Sequence, residues 1–173
     1  MNEIIQAMKE RRSCRKYQDT MIPKEDLEEI IEAGLYAANG MGKQSPIIVA
    51  VTNKEVRDEL SKMNAAVMGS ENDPFYGAPV VLIVLADKSV RTEVYDGSLV
   101  MGNLMLACDA KGIGSCWIHR ANEEFESEEG KALLKKLGIE GDYEGIGHCV
   151  LGYRADEKPV PAPRKDNRVF WCE

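Results

Sequence analysis

Pro79-Val80-Val81-Leu82-Ile83-Val84-Leu85-Ala86 is an unbroken run with no polar side chain. A β-branched apolar run this short reads as a strand, and one without a polar side reads as a central strand. The next apolar stretch, residues 95–111, has helical length and is apolar on several sides through Leu99, Leu104, Leu106 and Ala110. A helix of that kind is expected to be deeply buried and to be the main core element.

Around this pair the pattern alternates between helical and strand periods. Ile4, Ile5 and Met8 share one face of a helix predicted over 2–11. Pro23 suits a first helical turn, Glu25 and Asp26 follow it, and Leu27, Ile30, Ile31 and Leu35 recur at helical spacing to about residue 37. Residues 47–52 read as a buried strand. Asn53 caps a third helix carrying Val56, Leu60 and Met63. Residues 115–119 form a short strand, 127–137 a short charged helix stopped by Gly138, and 145–152 a last central strand. Connections are short, and no repeat or low-complexity segment interrupts them. The expected fold is α+β: a central mixed sheet of four to five strands flanked by helices, in a single domain over 1–173. The tail from Lys158 is Pro-rich and ends in Arg168-Val169-Phe170-Trp171, a strand-like segment with nowhere local to pair.

Bulk properties exclude several functions. At 173 residues a chain buries roughly 70% of its unfolded surface, so its core needs no staples. A formal net charge of −7 argues against a general nucleic-acid binder. No apolar run approaches the length of a membrane span. The first residues are acidic and short of apolar length, so no signal peptide is expected and the expected location is cytoplasmic. Five cysteines, Cys14, Cys108, Cys116, Cys149 and Cys172, are odd in number and scattered. They read as small buried residues rather than a disulfide framework.

Against that acidic background, Arg11-Arg12-Ser13-Cys14-Arg15-Lys16-Tyr17 is a dense cluster of cations. It has two readings. Cations near a helix C-terminus interact favourably with its dipole, by ~0.3–1 kcal/mol each. Alternatively, guanidiniums grip phosphate oxygens bidentately while Ser13 adds a hydroxyl. A second polar segment, residues 38–46, contains Asn39, Gly40, Gly42, Gln44 and Ser45, either as an ordinary helix-to-strand connection or as a set of ligand contacts. A third, Gly112-Ile113-Gly114, precedes a strand, which is the wrong order for a dinucleotide fingerprint. Cys116, His119, His148 and Cys149 cannot chelate a metal in pairs from regular strands, because neighbours and positions three apart point to opposite faces. No metal is expected. His119 and His148 are too isolated for a nucleophilic triad, and residues 123–129 read as a solvated helix entry.

Taken in order, these segments resemble the nitroreductase family of FMN-dependent oxidoreductases. The resemblance rests on five stretches. They are Arg11-Arg12-Ser13-x-Arg15-x-Tyr17, residues 37–46, Phe75-Tyr76-Gly77-Ala78-Pro79, Gly112-x-Gly114-Ser115-Cys116-Trp117-Ile118, and Pro163-Arg164-Lys165.

The resemblance implies FMN as cofactor, NADH or NADPH as electron donor, and a homodimer with flavin at its interface. Arg11, Arg12 and Ser13 would hold the phosphate and ribityl chain, with Arg164 and Lys165 adding phosphate contacts. Arg15 would reach the flavin N1–O2 edge, where a cation stabilises the reduced ring. Ala38, Asn39, Gly40 and Gln44 would touch the flavin bound mainly by the other subunit. Trp117 and Ile118 would flank the ring, and the backbone of His119 and Arg120 would sit near N5. Met41, Phe75 and Tyr76 would line the acceptor pocket. The C-terminal strand would reach across to the partner's sheet. Hydride would pass from nicotinamide to flavin and on to a small oxidised acceptor, in ping-pong order.

The sequence departs from the family pattern at Gly42, Asn39 and His119-Arg120, and it leaves little room for a helical lid in mid-chain. Two other readings stand beside the enzyme: a flavin store or sensor without turnover, and a non-flavin module binding another phosphorylated ligand.

Overall fold

The structure, a computed structural model, describes residues 2–173. The apolar run becomes β2 (Val80–Asp87), a strand with helices on both sides. Val80, Leu82, Val84 and Ala86 face α2 (Lys24–Leu35) and α4 (Glu93–Ala110). Val81, Ile83 and Leu85 face α3 (Lys54–Met68), α5 (Ala121–Glu126) and α6 (Glu128–Lys136). All of these strand residues are fully buried. Burying a side chain of that size stabilises the fold by about 1.5–3 kcal/mol, so β2 anchors two cores.

The strand order is β1-β2-β4-β3, with β1 at Pro46–Val51, β3 at Gly114–Ile118 and β4 at Tyr143–Gly152. Every pairing is antiparallel, which corrects the expected mixed sheet. Strand direction depends on how each connection returns the chain, and an apolar run reads the same either way. A parallel contact occurs as the isolated bridge Ser13–Ser115. A bulge opposite Val84 and Leu85 interrupts the β2–β4 register at Ile146. Beyond it, His148 and Val150 face the α3–α5 side, while Cys149 and Leu151 face α2 and α4.

Helix starts follow local chemistry. Asn2 accepts from Ile4 N–H (3.0 Å) at the start of α1 (Glu3–Glu10). Asn53 caps α3 through Val56 N–H (3.0 Å), and Ser127 caps α6 through Gly130 N–H (3.0 Å). The short helix α5 was not predicted. The deep burial expected of α4 holds on one side only. Val100, Met101, Leu104 and Cys108 are buried, whereas Leu99 is half exposed and Tyr95 is 72% exposed. Ile4, Ile5 and Met8 of α1 are exposed as well. The tail forms no strand within the chain, and Val169, Phe170 and Trp171 are exposed.

Two features of this frame position the site. β3 is an edge strand, and residues 13–14 run along it. Cys14 N–H donates to Ser115 O (2.8 Å). The chain after β4 is laced to the same segment, with Tyr17 bridging Arg154 and Ala155 N–H donating to Lys16 O (3.0 Å).

Candidate anion-binding corner and its surroundings

The chain leaves α1 at Arg11, whose N–H closes the last turn on Ala7 O (2.9 Å), and then extends along β3. The tail returns over this corner. Together they border an open cavity of about 300 Å³ lined by Arg11, Arg12, Ser13 and Arg15 from one end of the sequence, and by Pro159, Pro161 and Arg164 from the other. Arg12 Nη1 donates to Lys9 O (2.8 Å) and to Arg11 O, so the helix-end reading is correct for part of this side chain. It leaves the rest unexplained. Arg11 Nη1, Arg12 Nε and Arg154 Nε are buried without a hydrogen-bond partner. An unpaired buried N–H costs roughly 1–3 kcal/mol, more when charged. An anion with several oxygens is the chemistry that would satisfy the two of these guanidiniums that line the cavity, Arg11 and Arg12.

Arg164 reaches the cavity but curls onto Ala162 O (Nη2–O 2.6 Å), whereas Lys165 is exposed and does not line it. Cys116 lies behind the cations. Burial pushes its thiol up, and the Arg15 guanidinium and Ser13 hydroxyl draw it partly back.

Trp117 and Ile118 follow Cys116, but they pack into different cores on opposite faces of the sheet. Both side chains therefore cannot flank one ring, which corrects that expectation; strand alternation forbids it. Past the end of β3, His119 is exposed and Arg120 adopts a left-handed conformation (φ 78°). The Arg120 guanidinium turns inward, donating from Nε and Nη2 to Asn64 Oδ1 (3.0 and 2.9 Å). Asn64 Nδ2 donates to His119 O (2.8 Å) and to Glu124 Oε2 (3.0 Å). The same carboxylate oxygen contacts His148 Nε2. Asn64, Glu124 and His148 are all buried, and the imidazole packs against Phe75 and Phe125. This network holds the His119 carbonyl inward, so the trans peptide directs the Arg120 N–H the other way.

Three expectations change here. Phe75 is fully buried against His148 and belongs to the core, not to an open pocket. Tyr76, left-handed and 42% exposed, is the accessible aromatic of that pair. Glu124 is not solvated and His148 is not isolated, because each is the other's partner. The signal available in the sequence was Phe125 beside Glu124, an apolar residue inside an acidic run.

The 38–46 segment contains a tight turn at Gly40–Gly42. Buried Asp96 at the start of α4 organises it, accepting from Gly40 N–H (2.9 Å), Ser45 Oγ (2.9 Å) and Thr92 Oγ1 (3.0 Å). Asn39 Oδ1 accepts from Gln44 N–H (2.9 Å). A Cβ on Gly40 would stand 2.2 Å from Thr92 Oγ1, so close approach demands glycine there. Ala38, Met41 and Gln44 are exposed, Met41 by 83%. Sequence reading missed Asp96, whose loop partners Gly40 and Ser45 lie more than fifty residues away in the chain and give no local signal.

Within one chain this loop and the arginine corner do not meet. Pro46 is in register with Ala86, and Ala86 with Glu144, whereas Ser115 is opposite Leu151. The two positions differ by about 20 Å along the sheet's strand direction and lie on opposite edge strands, about 14 Å apart across the sheet. They occupy diagonal corners.

Comparison with known proteins bears on the fold and the family. The Nitroreductase family model matches residues 8–74 and 65–153. The chain belongs to the nitroreductase family. Among nitroreductase-family relatives, a protein of Archaeoglobus fulgidus named as an NADH dehydrogenase/NAD(P)H nitroreductase is 32% identical over 163 residues, 91% of this chain and 89% of that one. A nitroreductase with bound FMN from Bacteroides fragilis superposes with a TM-score of 0.91 at 29% identity, covering 100% of both chains. Another with bound FMN, from Desulfitobacterium hafniense, gives 0.89 at 28% identity, again over 100% of both chains. Among the described residues, no helix of this nitroreductase-family chain is long and apolar enough to cross a membrane.

Proposed function

We propose that the protein is an FMN-dependent NAD(P)H oxidoreductase, acting as a cytoplasmic homodimer on a small oxidised acceptor such as a nitro compound or quinone. One observation carries this reading. Guanidiniums from both ends of an acidic chain converge on one cavity, with buried N–H groups left unpaired.

The residues present fit FMN. Arg11, Arg12, Ser13 and Arg164 would hold its phosphate and ribityl end, with Lys165 near enough in sequence to assist. Arg15, exposed at the cavity, would face the N1–O2 edge as a fixed positive charge. The peptide between His119 and Arg120 would offer its outward N–H to the ring, and Trp117 would pack beside it. When bound, FMN supplies the two-electron chemistry, accepting hydride at N5 from NAD(P)H and returning it to the acceptor. The protein's share is binding, orientation and charge, and no acid or nucleophile of the chain is required.

The diagonal separation supports a two-chain site. Ala38, Asn39, Gly40 and Gln44 of one subunit would complete the arginine corner of the other, with Met41 and Tyr76 at the acceptor side. Tyr95, Leu99, Ile4, Ile5 and Met8 supply unpartnered apolar surface for such an association.

The test is reduction of FMN-loaded protein by NADH and NADPH, followed by a panel of acceptors. Bleaching of the flavin by either nucleotide and its recovery with an acceptor are the expected results. A flavin that stays oxidised with both nucleotides makes the protein a store or sensor. Protein that leaves a sizing column colourless after incubation with FMN refutes flavin binding.

A further inference from the structure

Arg154 is the guanidinium in this corner that no motif accounts for. It follows β4 and its backbone is tied to residues 16–17, through the bridge to Tyr17 and through Ala155 N–H on Lys16 O (3.0 Å). Its own carbonyl accepts from Gln18 Nε2 (2.7 Å). From this anchored position the side chain runs beneath residues 12–13. Nη1 approaches Arg12 O and Nη2 approaches Ser13 O, each at 3.4 Å. The side chain is only 14% exposed, and Asp156 Oδ1 lies 3.7 Å from Nη2. Arg154 does not line the cavity. It sits behind it, and its Nε is one of three buried guanidinium nitrogens without a partner there.

We propose that Arg154 is a positioning residue for the phosphate end of the ligand, acting through the Arg12–Ser13 backbone. Two successive carbonyl oxygens would repel a phosphate if they faced it. The Arg154 fork draws both toward itself. In a trans peptide the N–H lies opposite the carbonyl, so with Arg12 O turned to Arg154 the Ser13 N–H is aimed away from it. The neighbouring Cys14 N–H is already committed to Ser115 O. The planar fork also explains why arginine stands here, since an ammonium cannot span two carbonyls in one fixed geometry.

This inference rests on the FMN reading, and its test separates the two. FMN and riboflavin, which lacks the phosphate, are titrated into full-length apoprotein by flavin fluorescence for the unaltered chain, R154Q and R154K, with thermal melts alongside. R154Q is expected to raise the FMN Kd about tenfold and R154K about threefold, as for loss and part-retention of a charge-assisted contact. The riboflavin Kd should stay within about twofold, because the effect acts at the phosphate end. Equal losses for both ligands would overturn the proposal in favour of general structural support. So would an unchanged FMN Kd in R154Q when the unaltered protein binds FMN normally, and that result would leave the FMN reading intact. Failure of the unaltered protein to bind FMN removes both.

Discussion

Single side chains in this protein act through the groups they leave satisfied or unsatisfied. Arg15 is an exposed cation of the corner, and its proposed partner is the flavin edge that gains negative charge on reduction. Arg15→Ala should lower the reduction potential of bound FMN by ~30 mV, about one charge-assisted contact for a two-electron couple. Spectroelectrochemical titration measures it, and an unchanged potential removes Arg15 from that role. Asp73 tests a structural charge. Burial pushes its carboxyl up. Arg57, Ser61 and the Gly77 and Phe75 amides outweigh that and hold it below the ordinary carboxylate value. Its stabilisation is therefore complete above the unfolded value near ~3.9 and is lost as pH falls through the lower folded value. Asp73→Asn should cost about 1–3 kcal/mol at neutral pH, because Arg57 loses its 2.6 Å partner. Urea melts as a function of pH should show the difference from the unaltered chain shrinking below pH ~4.

At the level of elements, local signals and distant ones divide cleanly. The cap at Asn53, the central run in β2 and the punctuating Gly138 are visible in a few residues, because they depend on neighbours in sequence. The turn at Gly40–Gly42 is different. Its glycine is legible, but the reason for it is Thr92 and Asp96 at the head of α4. Gly40→Ala should destabilise the protein by roughly 1–3 kcal/mol, as overpacking does. A denaturant midpoint that falls at unchanged slope would confirm it, and no change would mean that Thr92 rotates away freely. The Asn64–Glu124–His148 network was equally hidden. Glu124 looked solvated because it lies in an acidic run, and only the packing of α5 against α3 and β4 takes it out of water.

For the whole molecule, the proposed two-chain site has a direct consequence. The tail beyond Lys158 covers the arginine corner and then continues as exposed Val169, Phe170 and Trp171. Truncation before Arg168 should weaken association of the proposed dimer, since large aromatic side chains dominate the energetics of such contacts. Sedimentation at low protein concentration reads this, and a truncated protein that stays fully dimeric would count against it.

Short-range chemistry in the chain was enough to determine most of the helices and strands, though not α5 or the fate of the tail, and which strand is central and which cations could meet an anion. Folding alone decided that the sheet is antiparallel, that Phe75 and Ile118 turn into the core, and that Arg11 and Arg164 share a cavity while the 38–46 loop lies at the diagonal corner. Periodicity and capping are properties of neighbouring residues. Strand direction, side-chain burial and the convergence of charges depend on residues brought together from far apart in the chain.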